Sequence, residues 1–288
     1  MQIRIAERVR AYGSLVMFQH TVFALPFALV GMLLATRHQP LTGRALLWIL
    51  ACMVTARTAA MAFNRLADRD LDRANPRTQK RELVTGRVRV GEAWALFGLS
   101  AAAFVLSAGQ LNRTCLLLAP VALAIVCAYS LTKRFTVLSH FILGLCLAIA
   151  PVGAWLALSA PLTAMPLCLA LAVLFWVAGF DILYACQDRA FDQAAGLRSI
   201  PARFGIGAAL RVSSAAHVLA WLCLLAVGVL GGLGIWYFLG VILVGAVLIY
   251  EHCIISPSDL SRLNLAFFTL NGVIGVVYFG FTLVDFWR

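Results

Sequence analysis

The chain has 288 residues, of which 62% are hydrophobic and only 12% charged, against about 45–50% apolar and about 25% charged in ordinary soluble domains. Residues 15–36 and 215–250 contain no Lys, Arg, Asp or Glu, so the chain reads as a polytopic membrane protein; disorder, collagen-like repeats and a disulfide-stapled secreted scaffold are excluded. The net charge of +11 points to membrane orientation and anionic headgroups rather than to nucleic acid. Eight cysteines stand singly in apolar stretches without a CxxC pair, the pattern of small buried apolar residues rather than metal ligands.

Crossing about 30 Å of hydrocarbon takes about 20 helical residues, and nine apolar runs meet that length: 14–36, 44–64, 93–110, 114–131, 136–159, 164–187, 212–232, 235–252 and 264–286. The expected fold is therefore all-α, one polytopic domain over residues 1–288. The first run is too long for a signal-peptide core, and residues 1–13, with Arg4, Arg8 and Arg10, read as a short interfacial segment before it. With nine crossings, one membrane face receives 18 of the Lys and Arg side chains and the other only four, Arg37, Arg44, Arg113 and Arg288. The positive-inside rule makes the richer face cytoplasmic, with the N-terminus inside. Its two longest polar segments, about 65–91 and 188–211, are the expected cap loops.

The second and sixth runs both descend to that face, and both end in D-x-x-x-D followed by a basic loop, a faint internal repeat. The first motif places Asn64, Asp68 and Asp72 at four-residue spacing, hence on one helical stripe. In the second, Asp181, Tyr184, Asp188 and Asp192 share a face. Clustered carboxylates need a positive centre, and Mg²⁺, a hard cation that joins carboxylates to substrate phosphates, suits them. Nearby Arg77, Lys80, Arg81, Lys133, Arg134 and Arg198 can hold phosphate oxygens. The pattern suggests a Mg-diphosphate site.

These two motifs resemble the signature motifs of the UbiA superfamily of intramembrane prenyltransferases. HTVFALPFAL at 20–29, Y-S-x-x-K-R at 129–134 and GLRSIPARFG at 196–205 are further matches. The likeness runs from the first helix through the sixth and is greatest to 4-hydroxybenzoate polyprenyltransferases, including the branch associated with the futalosine route to menaquinone. Arg65 departs from the pattern, since many members carry Asp directly after the Asn. The resemblance implies a nine-helix bundle around a central cavity, capped on the cytoplasmic side, in the inner membrane. It implies that Asn64, Asp68, Asp72, Asp188 and Asp192 bind Mg²⁺, that Arg77, Arg81, Lys133, Arg134 and Arg198 clamp the diphosphate, and that Tyr129 borders the reacting carbon. Polyprenyl diphosphate and an aromatic acid are the implied partners, with no obligatory protein partner.

Two charges lie deeper. Arg57 precedes Asn64 by seven residues and Asp181 precedes Asp188 by seven, each about 10 Å further into the bilayer at 1.5 Å per residue. Ionisable groups at such depth face a cavity or a partner. They form either a buried pair tying two helices together or an acceptor site. In the acceptor reading Arg57 faces an aromatic carboxylate, and Asp181, with Tyr184 on its face, positions the phenol or takes the ring proton. The acceptor is 4-hydroxybenzoate or a dihydroxynaphthoate. A secondary transporter using Arg57 and Asp181 in an ion path is the rival from another class; a CDP-alcohol phosphotransferase is disfavoured by the lack of D-G-x-x-A-R. His20, His140 and His217 read as hydrogen-bonded packing residues, and Pro26 and Pro151 as helix kinks.

Overall fold

A computed structural model describes residues 11–15 and 21–288, with side chains from residue 24 onward in the second stretch. The expected interfacial segment up to Arg10, and His20, lie outside the described residues. The described residues are mostly helical, and the elements run α1 Thr21–Ala35, α2 Gly43–Ala67, α3 Arg69–Ala74, α4 Glu82–Thr85, α5 Val90–Leu111, α6 Arg113–Thr132, α7 Ser139–Ala157, α8 Ala164–Ala185, α9 Arg189–Ala194, α10 Ile200–Phe204, α11 Ile206–Leu230, α12 Ile235–Cys253 and α13 Asn271–Phe286. A 3₁₀ turn, Cys186–Asp188, joins α8 to α9, and a π-helical stretch, Leu265–Leu270, leads into α13. Among the described residues the only strand-like pairing is an isolated bridge between Ser256 and Asp259. Among the described residues eight helices are long and apolar enough to span a membrane, and Ala24–Ala35 is a shorter apolar helix. The protein is thus an all-α polytopic membrane protein, and about nine crossings fit.

Two compact units divide the chain, residues 42–131 with those described before Thr21, and residues 22–41 with 132–288. In the first, α2 packs along α5, with Phe63, Trp94 and Phe97 in mutual ring contact at 5.4 to 6.4 Å. Thr42 starts α2 by accepting the Ala45 N–H at 3.1 Å, the usual use of a threonine before a helix. The 76–90 loop is anchored because Leu83 and Val88 bury beside Leu15, Ala62 and Ala93. Each such side chain removed from water is worth about 1.5–3 kcal/mol.

In the second unit, α8 packs against both α7 and α11. A Cβ on Gly144 would lie 2.2 Å from the Leu174 carbonyl oxygen, and one on Gly31 would lie 2.4 Å from that of Pro151. Small residues here let backbones approach, as helix association in lipid requires. Buried polar groups are chained together: Trp176 Nε1 donates to Asn271 Oδ1 at 2.7 Å, and Asn271 Nδ2 donates to Glu251 Oε1 at 3.3 Å and to the Ala266 carbonyl at 2.9 Å. His217 meets the Trp176 carbonyl at 3.2 Å and His252 at 3.0 Å, in keeping with the packing role expected for it. Leu99 and Leu106 in the first unit, and Val229 and Ile249 in the second, stay 67 to 73% exposed; their solvent is lipid.

Three expectations shift. The 188–211 segment, read as a loop, is mostly helical, and α11 begins at Ile206, six residues before the run at 212. Gly205, at φ 81°, makes the break between α10 and α11 that a side chain would strain. Of the cysteines only Cys186 is buried, while six are half-buried, Cys253 is exposed, and all are free thiols. An apolar solvent makes burial unnecessary for a thiol.

Candidate active site

Both acidic motifs are built on the same local geometry. At Asp68 the helix α2 passes into α3 through a residue at φ −96°, ψ 6°. At Asp188 the chain passes into α9 at φ −95°, ψ 4°. That sparsely occupied bridge region is where many active-site residues sit. In the first motif the ladder survives the break, with Asp68 N–H donating to Asn64 O at 2.9 Å and Asp72 N–H to Asp68 O at 2.7 Å. The expected Asn64–Asp68–Asp72 stripe therefore persists although the helix is interrupted.

In the first unit the last acid of the motif is buried and tied to a cation by the loop that follows it. Asp72 Oδ1 accepts Arg81 Nη1 at 2.6 Å. The loop is shaped for this: Asn75 Oδ1 accepts the Arg77 N–H at 2.9 Å, and Thr78 Oγ1 donates to the Asp72 carbonyl at 3.1 Å. The first is an Asx turn. Asn64 Nδ2 donates to Asp68 Oδ2 at 3.0 Å and to Ser130 Oγ at 3.3 Å. Arg65, buried, reaches Asn64 Oδ1 at a long 3.4 Å. Tyr129 is half-buried in the last turn of α6, Arg77 is exposed, and Arg57 is half-buried within α2.

The second unit repeats the arrangement with other residues. Asp192, 2% exposed, accepts Lys133 Nζ at 3.3 Å and Ser199 Oγ at 2.7 Å on Oδ2. Ser199 also caps α10 by accepting the Ala202 N–H at 3.3 Å. The 196–205 segment is stitched to the Lys133 loop, with Arg198 N–H donating to the Lys133 carbonyl at 2.7 Å and Arg198 Nη1 to the Phe135 carbonyl at 2.8 Å. Arg198, expected on the diphosphate, thus gives one guanidinium donor to this tether. Arg134 is exposed and Asp188 buried. Tyr184 stacks on Phe267 with ring centroids 4.0 Å apart.

Asp181 is bonded within its own unit, its Oδ2 lying 2.7 Å from His140 Nδ1. His140, fully buried, is hydrogen-bonded as expected of it, though its partner was not named by the sequence. Ser130 and Ser199, and the partner of His140, escaped sequence reasoning, because a serine or histidine at a helix end carries no spacing that names its partner.

For a hard cation the donor set fits. All the candidate ligands present oxygen, and Asp72 and Asp192 each spend one carboxylate oxygen on a cation, which leaves the other as a donor. Among the described residues no three His, Cys, Asp or Glu side chains gather on a common point. Mg²⁺ asks for less, since it keeps waters and takes phosphate oxygens beside one or two carboxylates.

Residues 24–273 match the model of the UbiA prenyltransferase family. The chain belongs to that family. It is an enzyme, a membrane-embedded prenyltransferase, and the transporter alternative falls away. Among its UbiA relatives, a 4-hydroxybenzoate octaprenyltransferase of Aromatoleum aromaticum is 33% identical over 238 residues, 81% of this chain and 79% of the relative. One of Nitrosomonas europaea is 29% identical over 290 residues, 98% of this chain and 97% of the relative. The apo structure of a UbiA homolog from Aeropyrum pernix K1 superposes with a TM-score of 0.84 at 38% identity, covering 92% of this chain and 98% of that one. A UbiA homolog from Archaeoglobus fulgidus bound to DMAPP and Mg²⁺ shares the fold at a TM-score of 0.74 and 22% identity, over 96% of this chain and 98% of that one.

Proposed function

We propose that this UbiA-family enzyme transfers a polyprenyl group from an allylic diphosphate to the ring carbon ortho to the hydroxyl of an aromatic acid, 4-hydroxybenzoate, with Mg²⁺ as cofactor. The observation that carries the reading is the duplicated turn. Two D-x-x-x-D motifs share one backbone conformation, and in each the last aspartate is buried and paired to a cation, Asp72 to Arg81 of the loop that follows it and Asp192 to Lys133 of the loop between α6 and α7. Such a device holds charge ready at a helix end and suits a polyanion better than a neutral ligand. The relatives named as 4-hydroxybenzoate octaprenyltransferases support the acceptor, and so does the depth of Arg57.

In this proposal the whole chain acts as one catalytic domain in the cytoplasmic membrane, with its N-terminus and active-site loops inside. Asn64, Asp68, Asp72, Asp188 and Asp192 hold the metal, Asn64 through the Oδ1 that Arg65 approaches only at long range. Bound Mg²⁺ would offset charge on the departing diphosphate. Arg77, Arg81, Lys133, Arg134 and Arg198 take its remaining oxygens. Arg57 pairs with the acceptor carboxylate, Tyr184 and Tyr129 border the ring and the allylic carbon, and Asp181 receives the ring proton. The C–O bond to diphosphate breaks, a C–C bond forms at the ortho carbon, and the proton lost from that carbon restores the aromatic ring. Exclusion of bulk water protects the allylic cation, and aromatic faces stabilise it.

The test is to incubate purified protein with Mg²⁺, prenyl diphosphates of several lengths and a panel of phenolic acids, then weigh the products. Prenylated 4-hydroxybenzoate is expected. Product from a dihydroxynaphthoate alone would move the acceptor, and no product with any phenolic acid would overturn the reading.

A further inference from the structure

His140 is fully buried at the start of α7, and both of its ring nitrogens are engaged. Nε2 lies 3.4 Å from the backbone N–H of Ile200. A backbone N–H can only donate, so Nε2 carries no proton, and the proton of the neutral ring sits on Nδ1. That nitrogen is the one 2.7 Å from Asp181 Oδ2. The ring therefore donates to the carboxylate and fixes which oxygen faces it.

The far end of this contact is equally well held. The Ile200 side chain is buried among Leu183, Cys186 and Ala209, so its N–H has little freedom. The preceding residue, Ser199, is fully buried and donates to Asp192 Oδ2 at 2.7 Å. Two consecutive residues of one segment thus touch Asp192 on one side and, through His140, Asp181 on the other.

We propose that His140 is a positioning residue: it orients the Asp181 carboxylate toward the acceptor and couples it to the seating of the 196–205 segment at Asp192. This rests on the reading of Asp181 as the group that meets the acceptor. Turnover depends on the Nδ1 half of the ring, and retention of the prenyl diphosphate depends on the Nε2 half.

Two substitutions separate the halves. The amide nitrogen of Asn stands about where Nδ1 stands and can donate to Asp181, and the Gln amide, turned so that its Oε1 stands about where Nε2 stands, can accept the Ile200 N–H. His140→Asn should keep kcat within about threefold while raising KM for the prenyl diphosphate. His140→Gln should spare that KM but lower kcat about tenfold or more, the scale of one lost hydrogen bond to a charged group. His140→Leu should lose on both counts. If Leu retains wild-type kinetics, or if Asn and Gln behave alike, the ring is only packing and the proposal fails. Asp181→Asn is measured in the same series. Should it leave kcat and acceptor KM untouched, the reading of Asp181 falls and this inference with it; a crippled Asp181→Asn beside indistinguishable Asn and Gln variants at 140 overturns the inference alone. A measurement that needs no variant is the nitrogen spectrum of histidine-labelled wild-type protein, with His140 assigned by its contact to Ile200. An Nδ1–H tautomer is expected, and an Nε2–H tautomer overturns the proposal.

Discussion

An aspartate at the end of a membrane helix stays charged only if something compensates it, and the two motifs divide that task. Asp72 and Asp192 are neutralised from within, by Arg81 and by Lys133 with Ser199, while Asp68 and Asp188 occupy the turn itself. Asp68→Asn and Asp188→Asn should therefore each lower turnover by orders of magnitude without unfolding the protein, and added Mg²⁺ should not restore it fully; near-normal rates in either folded variant would remove that carboxylate from the metal. Arg57→Leu should act differently, because it lies about 10 Å deeper than Asn64 at 1.5 Å per residue. Losing one partner of a buried charge pair costs roughly 2–5 kcal/mol, or about 30-fold and more in affinity. Acceptor saturation curves should show that loss, and those for the prenyl diphosphate should not; equal weakening of both would leave Arg57 a structural residue. At this scale the acids were legible because helical spacing groups them. The partners of His140 and Ser130 were not, since they lie 41 and 66 residues away, and the Ser199 contact with Asp192, seven residues off, crosses a turn between two short helices that composition did not reveal.

At the scale of the helix, the apolar runs reported their own lengths well, because lipid demands an uninterrupted apolar stretch of fixed rise. The polar segments misled. Residues 188–211 looked like a loop because their composition is mixed, yet short helices need only a cap and a buried anchor, which Ser199 and Ile200 supply. Close approach was also invisible beforehand, since nothing in the neighbouring sequence singles out Gly144 from the other glycines. Gly144→Val would drive a side chain into the Leu174 carbonyl, and overpacking of this kind typically costs about 1–3 kcal/mol. Thermal denaturation in detergent should show a lowered midpoint for that variant, whereas Gly98→Val, where a Cβ meets nothing within 4 Å, should scarcely move it.

For the molecule as a whole, the bilayer is both solvent and coordinate system. Under the proposed orientation, the face with 18 of the basic side chains rather than the one with four is cytoplasmic by the positive-inside rule. Reporters fused after Arg81, Arg134 or Arg203 should read cytoplasmic, and reporters after Pro161 or Gly234 external. An external signal at Arg81 with a cytoplasmic one at Arg203 would separate the two acidic motifs by a membrane and end the idea that they serve one diphosphate.

The π-helical stretch at Leu265–Leu270 makes the C-terminal region unequal in its response to lost codons. A π turn stores extra chain inside a helix, so deleting one residue there lets the ladder return to ordinary spacing while Asn271–Phe286 keeps its phase. Deleting one residue between Val273 and Tyr278 instead swings all that follows by about 100°. Asp285 would then leave the Gly234 N–H it meets at 2.7 Å. The first deletion should yield protein that survives detergent extraction but turns over slowly, its Phe267 displaced from Tyr184; the second should aggregate. Related chains that differ in length by one residue near their C-terminus should carry the difference in that turn.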